Sequence, residues 1–365
     1  VAVNRYEHPV IDHTWSHSGK YANWLRVEWA AATSAGDADT AAALGEELDQ
    51  HDIAQILKYE TITRHDVGAF VRWMRESRGA PRAHWGLSSS DLVDAGLALA
   101  VQDVSGCLSR EAALLVQALE LLGIQYAETP RAARTHGVFA EPDRFGRQIG
   151  VWSDRIAKAS CTLEALQPAA CEIVLGGPIG DATVHDPVRL GALLGLQAGR
   201  WRKAQANDRS ALVSWAQGVS GLMSALEHLA IQIRLGATYG EVAEWFAPEQ
   251  WGSTSMPHKR NPVRSERICG LARVVRAQLV ALAESTSWFG EHDISHSSVE
   301  RICLPILTGL TGFALREAID IVAHLVVSPD RMAEHIEHAG TWDRWLAEQK
   351  ANPDAWAEIY KELRG

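Results

Sequence analysis

The chain has 365 residues, length for two or three domains and a large core. Apolar residues make up 47% and charged residues 22%, ordinary globular values that exclude a disordered or fibrous chain. A net charge of -10 without basic clusters speaks against a nucleic-acid partner, and no stretch approaches the roughly 18 to 20 apolar residues of a membrane helix. Residues Val1 to Glu7 carry no signal-peptide core, so a cytoplasmic location and no membrane partner are expected. Five cysteines without metal-like spacing read as buried or free thiols. Fourteen Trp against six Phe and six Tyr is an unusual aromatic balance.

In chain order, helical periodicity fills Asp94 to Glu128, Phe145 to Leu166, Leu212 to Ile233, Ser265 to Ser285 and Arg301 to Val327. The clearest stripe is Leu212, Trp215, Val219, Leu222, Leu226, Leu229 and Ile233, one face of a long bundle helix. Strand signals are few and short, no βαβ alternation is present, and an all-α long-helix bundle is expected.

Four breaks punctuate the helices. They are Ala80 to Ser90 with a helix cap at Ser90 or Asp91, Ala133 to Phe145, Leu175 to Pro187, and Pro248 to Pro262. A structureless loop as long as the last is uncommon in a compact domain and is usually functional. It holds Ser253, Thr254 and Ser255, the cations Lys259 and Arg260, and the amide Asn261, a set suited to carboxylate or phosphate. A solvated loop of ordinary turn residues explains the same composition, and the Walker spacing is absent. Arg134-Thr135-His136-Gly137 sets a histidine in a turn, Arg64-His65-Asp66 sets another in an expected helix, and Glu291 to Arg301 adds two more. Histidine suits proton transfer near neutral pH, yet each cluster alone could be surface structure.

Together these segments resemble a known family. Gly252 to Pro262 (GSTSMPHKRNP) is similar to the signature of the fumarase/aspartase superfamily. Arg5-Tyr6-x-x-Pro9, Trp24-Leu25-x-Val27-Glu28, Arg64 to Val67, His84 to Asp91, Arg134 to Pro142 and Asp293 to Arg301 are similar, in the same order, to segments of its adenylosuccinate lyase branch. The resemblance covers roughly residues 4 to 335. It implies three domains: an N-terminal helical domain (1–93), a central bundle (94–328) carrying a mobile loop at 248–262, and a reduced C-terminal domain (329–365). It implies a small dicarboxylate substrate, release of fumarate by β-elimination, no cofactor and no metal. It also implies a homotetramer with active sites shared between chains.

By match to the motifs, Ser253 would be the base and His136 the general acid, oriented by Glu266, with His65 a second candidate for the acid. Lys259 and Asn261 would clamp the carboxylate on the reacting carbon, and Thr135, Ser88 and Ser89 would hold the succinyl carboxylates. Arg5, Tyr6, Arg64, His292, Ser297 and Arg301 would line the leaving-group side.

Several positions depart from the pattern. His292 stands where an arginine is usual, Phe139 where a histidine is common, and Asp143-Arg144 replace two threonines. Residues 202–207 lack the usual threonine-glutamine pair. A tail with Trp342, Trp345 and Trp356 takes the place of a fuller third domain. These changes suggest an intact elimination apparatus with a remodelled leaving-group side. A carboxymuconate cycloisomerase and a catalytically silent oligomeric scaffold are the competing readings.

Overall fold

The computed structural model describes residues 5–180, 184–200, 203–256 and 258–338. Helices α1 (Pro9–Trp15), α2 (His17–Ser34), α3 (Ala38–Leu44), α4 (Gln50–Thr63) and α5 (Asp66–Glu76) open the chain. The 37-residue α6 (Ser89–Gln125) follows, then a hairpin of β1 (Pro130–Thr135) and β2 (Val138–Arg144), then α7 (Phe145–Ala170). After α8 (Pro187–Leu194) come α9 (Ser210–Thr238), β3 (Val242–Ala243), α10 (Val263–Glu284), α11 (Ser295–Ala323), β4 (Val326–Val327) and α12 (Pro329–His338). The fold is therefore predominantly helical, with each sheet only two strands wide.

Local chemistry sets the helix starts. Pro9 opens α1 behind His8, whose Nδ1 accepts the Ile11 N–H at 3.3 Å. Asp49 and Asp52 form a reciprocal capping box on α4. The cap expected at Ser90 or Asp91 is instead at Ser88, two positions before Ser90 and immediately before the first residue of α6. Ser88 Oγ accepts the Asp91 N–H at 3.2 Å, while the Asp91 carboxylate accepts the Ser88 N–H at 2.8 Å. The spacing Ser-x-x-Asp explains the difference, because only a residue three positions on can close the box.

Every member of the Leu212 to Ile233 stripe is buried. Trp215 is fully buried and donates its indole N–H to Ser105 Oγ at 2.8 Å, so its polar edge is satisfied inside the core. Tyr21, Trp24, Phe70 and Trp73 form a chain of ring contacts with centroids 5.6 to 5.7 Å apart between α2 and α5. Part of the Trp excess is thus core. Trp85 and Trp251 are exposed instead, and Trp342, Trp345 and Trp356 lie outside the described residues, as does most of the expected C-terminal domain. The five cysteines are free, four of them buried.

Among the described residues, α11 is the one helix long and apolar enough to cross a membrane by length and composition, at a mean hydropathy of 1.4. Its window is 61% buried within the protein, and Glu300, Arg301, Arg316, Glu317 and Asp320 lie along the helix. These are marks of a core helix.

Two compact units are assembled from interleaved stretches. The first comprises Val1–Ala113, Lys158–Ala225 and Gly270–Arg316; the second comprises Leu114–Ala157, Leu226–Cys269 and Glu317–Gly365.

Candidate active site

In the second unit, the described residues of the 248–262 segment run without regular secondary structure between β3 and α10. Both ends are fixed. The buried Glu244 carboxylate accepts the backbone N–H groups of Arg264 (3.2 Å) and Ser265 (2.7 Å) and the Ser265 hydroxyl (2.6 Å), capping α10 from outside the helix. Arg264 then reaches Glu317 at 3.2 Å and Asp320 at 2.5 Å on α11.

Inside the loop the backbone returns on itself. A Cβ on Gly252 would lie 2.2 Å from the Lys259 carbonyl, so only glycine fits there. Asn261 Nδ2 donates to the Gly252 carbonyl at 3.3 Å, closing the crossing. Ser253 Oγ accepts the Met256 N–H at 3.1 Å, which directs a backbone donor at the oxygen expected to carry negative charge. Lys259 and Arg260 are exposed, and a cavity of about 210 Å³ is lined by Trp251, Gly252, Ser253, Thr254 and Arg260.

His136 is carried on the β1–β2 hairpin, a feature the sparse strand signals do not announce. His136 (φ 55°) and Gly137 (φ 79°) are both left-handed, the requirement of a two-residue type I′ turn between register partners Thr135 and Val138. Both Thr135 and His136 are exposed there. Behind the turn, Arg134 is paired with the buried Glu241, which also meets His335 Nδ1 at 2.7 Å. Glu266 is exposed on the first turn of α10, and among the described residues no hydrogen bond joins it to His136. The expected imidazole–carboxylate pair is therefore not formed in this chain.

The first unit collects other candidates. His65 caps α5, its Nδ1 accepting the Gly68 N–H at 3.2 Å, and Arg64 before it is exposed and left-handed. Arg301 on α11 donates to Asp66 at 2.5 Å and to Ser297 Oγ at 3.2 Å, so the Arg64–Asp66 turn meets the start of α11. Burial works against ionised Asp66, but Arg301 and Lys20 outweigh it and hold the carboxyl below its ordinary range. Beside this pair is a mainly apolar cavity of about 420 Å³, lined by Trp15, His17, Lys20, Trp24, Ser297 and Arg301 among others. Tyr6 does not join them: its ring packs edge-on against Phe313, about 18 Å along α11 from Arg301. Arg5 is exposed. Ser88 is buried with its hydroxyl committed to Asp91, and Ser89 is half-buried at the first position of α6.

His292 stands edge-on to Trp288 with ring centroids 5.6 Å apart, and 5.9 Å from the ring of His296. Burial, assisted by the nearby Arg209 charge, lowers the His296 pKa to about 4. The unfolded chain would protonate this imidazole near 6.5 while the folded chain keeps it neutral. Between those values the unfolded state binds more protons, so stability falls as pH drops from about 6.5 to about 4. A histidine NMR titration should place His296 near 4, and urea unfolding of His296→Asn should lose part of that acid dependence. A His296 midpoint near 6.5 would contradict this.

The sequence reading missed a buried charge network. Arg209 donates to Asp94 Oδ1 (2.8 Å) and to Glu300 Oε1 (2.6 Å), and Lys203 Nζ lies 2.7 Å from Asp91 and 3.8 Å from Asp94. The available signal was an acidic residue, Asp94, inside the apolar run Leu92 to Ala100. Two metal-capable groups also converge, His8 with Cys107 and Glu111, and Asp49 with His51 and Asp52. In the first, His8 Nδ1 accepts the Ile11 N–H, so Nε2 carries the proton shared with Glu111 at 2.8 Å. In the second, both carboxylates are engaged in the α4 capping box.

A family profile described as lyase matches residues 22–277. The chain is 32% identical to adenylosuccinate lyase of Bacillus subtilis over 351 residues, covering 92% of this chain and 80% of that protein. It is 34% identical to adenylosuccinate lyase of a Synechocystis species over 350 residues, covering 93% and 81%. The chain belongs to the fumarase/aspartase superfamily. Solved structures of this superfamily share the fold. A fumarate lyase from a Mesorhizobium species aligns with a TM-score of 0.79 at 23% identity, over 91% of this chain and 79% of that one. The 3-carboxy-cis,cis-muconate lactonizing enzyme of Pseudomonas putida aligns with a TM-score of 0.77 at 25% identity, over 90% and 77%. Within this chain, the loop bearing Ser253, the hairpin bearing His136 and the α5–α11 contact bearing His65 and Arg301 are each held by hydrogen bonds.

Proposed function

We propose that this chain is a carbon–nitrogen lyase that eliminates an N-substituted succinate to fumarate. The observation that carries the reading is the loop of residues 252–261, closed across Gly252 and presenting Ser253, Lys259 and Asn261 together. The two adenylosuccinate lyases support it through their similarity over nine-tenths of this chain.

The chemistry starts from a weakly acidic C–H beside a carboxylate. Ser253 Oγ, as alkoxide, takes that proton; the electron pair passes into the carboxylate, giving a doubly charged enolate. Lys259 and Asn261 stabilise those two oxygens, and this is the step where electrostatic stabilisation counts most. As the enolate collapses, the C–N bond breaks and His136 delivers a proton to the departing nitrogen, leaving fumarate. Thr135 and Ser89 would hold the succinyl carboxylates, with His65 an alternative acid; Ser88, expected to join them, is buried with its hydroxyl spent on Asp91 and serves the start of α6 instead.

A site of this kind draws its groups from several copies of the chain, as a homotetramer. Exposed apolar side chains support self-association: Leu114, Leu121 and Ile124 form a seven- and three-residue stripe on α6 with exposures of 54%, 63% and 73%. Val274 and Val280 on α10 are exposed likewise.

The leaving group is where this chain is remodelled, with His292 beside Trp288 in place of an arginine and Phe139 in place of a histidine. Incubation with adenylosuccinate and with amino-, hydrazino- and nitro-substituted succinates should release fumarate from at least one. Fumarate from adenylosuccinate alone would assign the nucleotide leaving group; fumarate from another member would assign a specialised substrate. Lactone from 3-carboxy-cis,cis-muconate with no fumarate from any succinate would overturn the reading in favour of a cycloisomerase.

A further inference from the structure

We propose that Arg134, Tyr239, Glu241 and His335 form a positioning clamp that holds the His136–Gly137 turn, a role that rests on the reading of His136 as the general acid. His136 occupies a left-handed conformation that a side-chain-bearing residue adopts at a cost, so something around it must favour that state. The turn itself is exposed. Its one side-chain hydrogen bond from outside the hairpin, among the described residues, comes from the Tyr239 hydroxyl, which donates to the Gly137 carbonyl at 3.0 Å.

That hydroxyl is held by a stack. The Arg134 guanidinium lies 3.9 Å from the centre of the Tyr239 ring and 4.8 Å from that of Phe139. Phe139, the residue that departs from the usual histidine, sits 5.6 Å from Tyr239 and 5.0 Å from the His335 ring, so the substitution completes an aromatic box around the guanidinium. Arg134 meets both oxygens of Glu241, one at 2.9 Å, and His335 Nδ1 meets the same carboxylate at 2.7 Å. The base of the stack is rigid backbone. Glu241 immediately precedes β3, which pairs with β4, and its carbonyl accepts the Ser328 N–H at 2.9 Å. A continuous path therefore runs from the β3–β4 ladder, through Glu241 and Arg134, to the turn that carries the imidazole. Because Arg134, Glu241 and His335 are buried behind the turn, they act through the placement of His136.

The test separates placement from general structure. Tyr239→Phe keeps both ring stacks and removes only the O–H. We expect faster hydrogen exchange at the amides of residues 136–138 with an unchanged melting temperature. With the succinate panel above, kcat for fumarate release should fall on the order of 10- to 100-fold while KM stays within about twofold. His335→Ala should lose kcat in the same way, and His335→Asn, which returns an N–H near the Nδ1 position, should restore most of it. Wild-type kcat in both Tyr239→Phe and His335→Ala, beside an inactive His136→Ala, would overturn the clamp and leave the acid assignment standing. A His136→Ala variant with wild-type kcat, or a wild-type protein that releases no fumarate, would overturn both.

Discussion

Ser253→Ala should abolish fumarate release while leaving substrate affinity nearly intact. A positioned base contributes typically 10²- to 10⁴-fold, so kcat should fall by at least that range with little change in KM. The expectation rests on position as well as on the resemblance. Ser253 follows the one residue in the loop, Gly252, at which the Lys259 backbone crosses within 2.2 Å of where a side chain would begin. Its oxygen already accepts a backbone N–H from Met256, and Lys259 is free in solvent, ready to turn toward a bound carboxylate. Removing the hydroxyl deletes a hydrogen bond on an exposed loop and disturbs no core, so loss of folding is not a competing explanation. Steady-state fumarate production by purified wild type and variant decides the matter. Wild-type turnover in Ser253→Ala would remove the base from the scheme.

The second large effect is on stability. Arg209→Met should cost about 3 to 5 kcal/mol in urea unfolding, because it strands two buried carboxylates. Arg209 side-chain exposure is 3%, and that of its partners Asp94 and Glu300 is 4% and 8%. Burial alone would depress the guanidinium, but the two carboxylates together raise its pKa above the ordinary value. Burial likewise raises that of Glu300, against the pull of Arg209. A typical domain is stable by only about 5 to 15 kcal/mol, so this loss would be a large share. The exposed Arg72–Glu76 pair, at 2.9 Å on one helix, offers the contrast: Arg72→Ala should leave the urea midpoint nearly unchanged. Equal, small losses in both variants would show that the network is not a stabilising centre.

Particular residues show why the helices were legible and their partners were not. The Leu212 to Ile233 stripe repeats a local spacing, and a local spacing is what an amphipathic helix requires. The β1–β2 hairpin was hidden because its strands, PRAART and VFAEPDR, are partly exposed and do not alternate cleanly. Its turn uses His-Gly, where Asn-Gly would have been a recognisable signal. The cap at Ser88 was misplaced by choosing a hydroxyl without its reciprocal acid three residues on.

The candidate site divides in the same way. Ser253, Lys259 and Asn261 lie within nine residues and could be read as one loop. Arg134 and Glu241 are separated by 107 positions, and Arg209 and Asp94 by 115, so only the folded chain puts them together. Glu244 is subtler still: it caps a helix that begins about 20 residues later, a role for which no short motif exists.

The central claim is that one chain carries every group the elimination needs, while each working site pools them from several copies. Mixing Ser253→Ala and His136→Ala proteins tests this most directly, since each is inactive alone and each retains what the other lacks. After subunits have been exchanged, verified by co-purification through two different affinity tags, fumarate release should reappear at a fraction of the wild-type rate. Mixed assemblies that form and yet release no fumarate would contradict the claim.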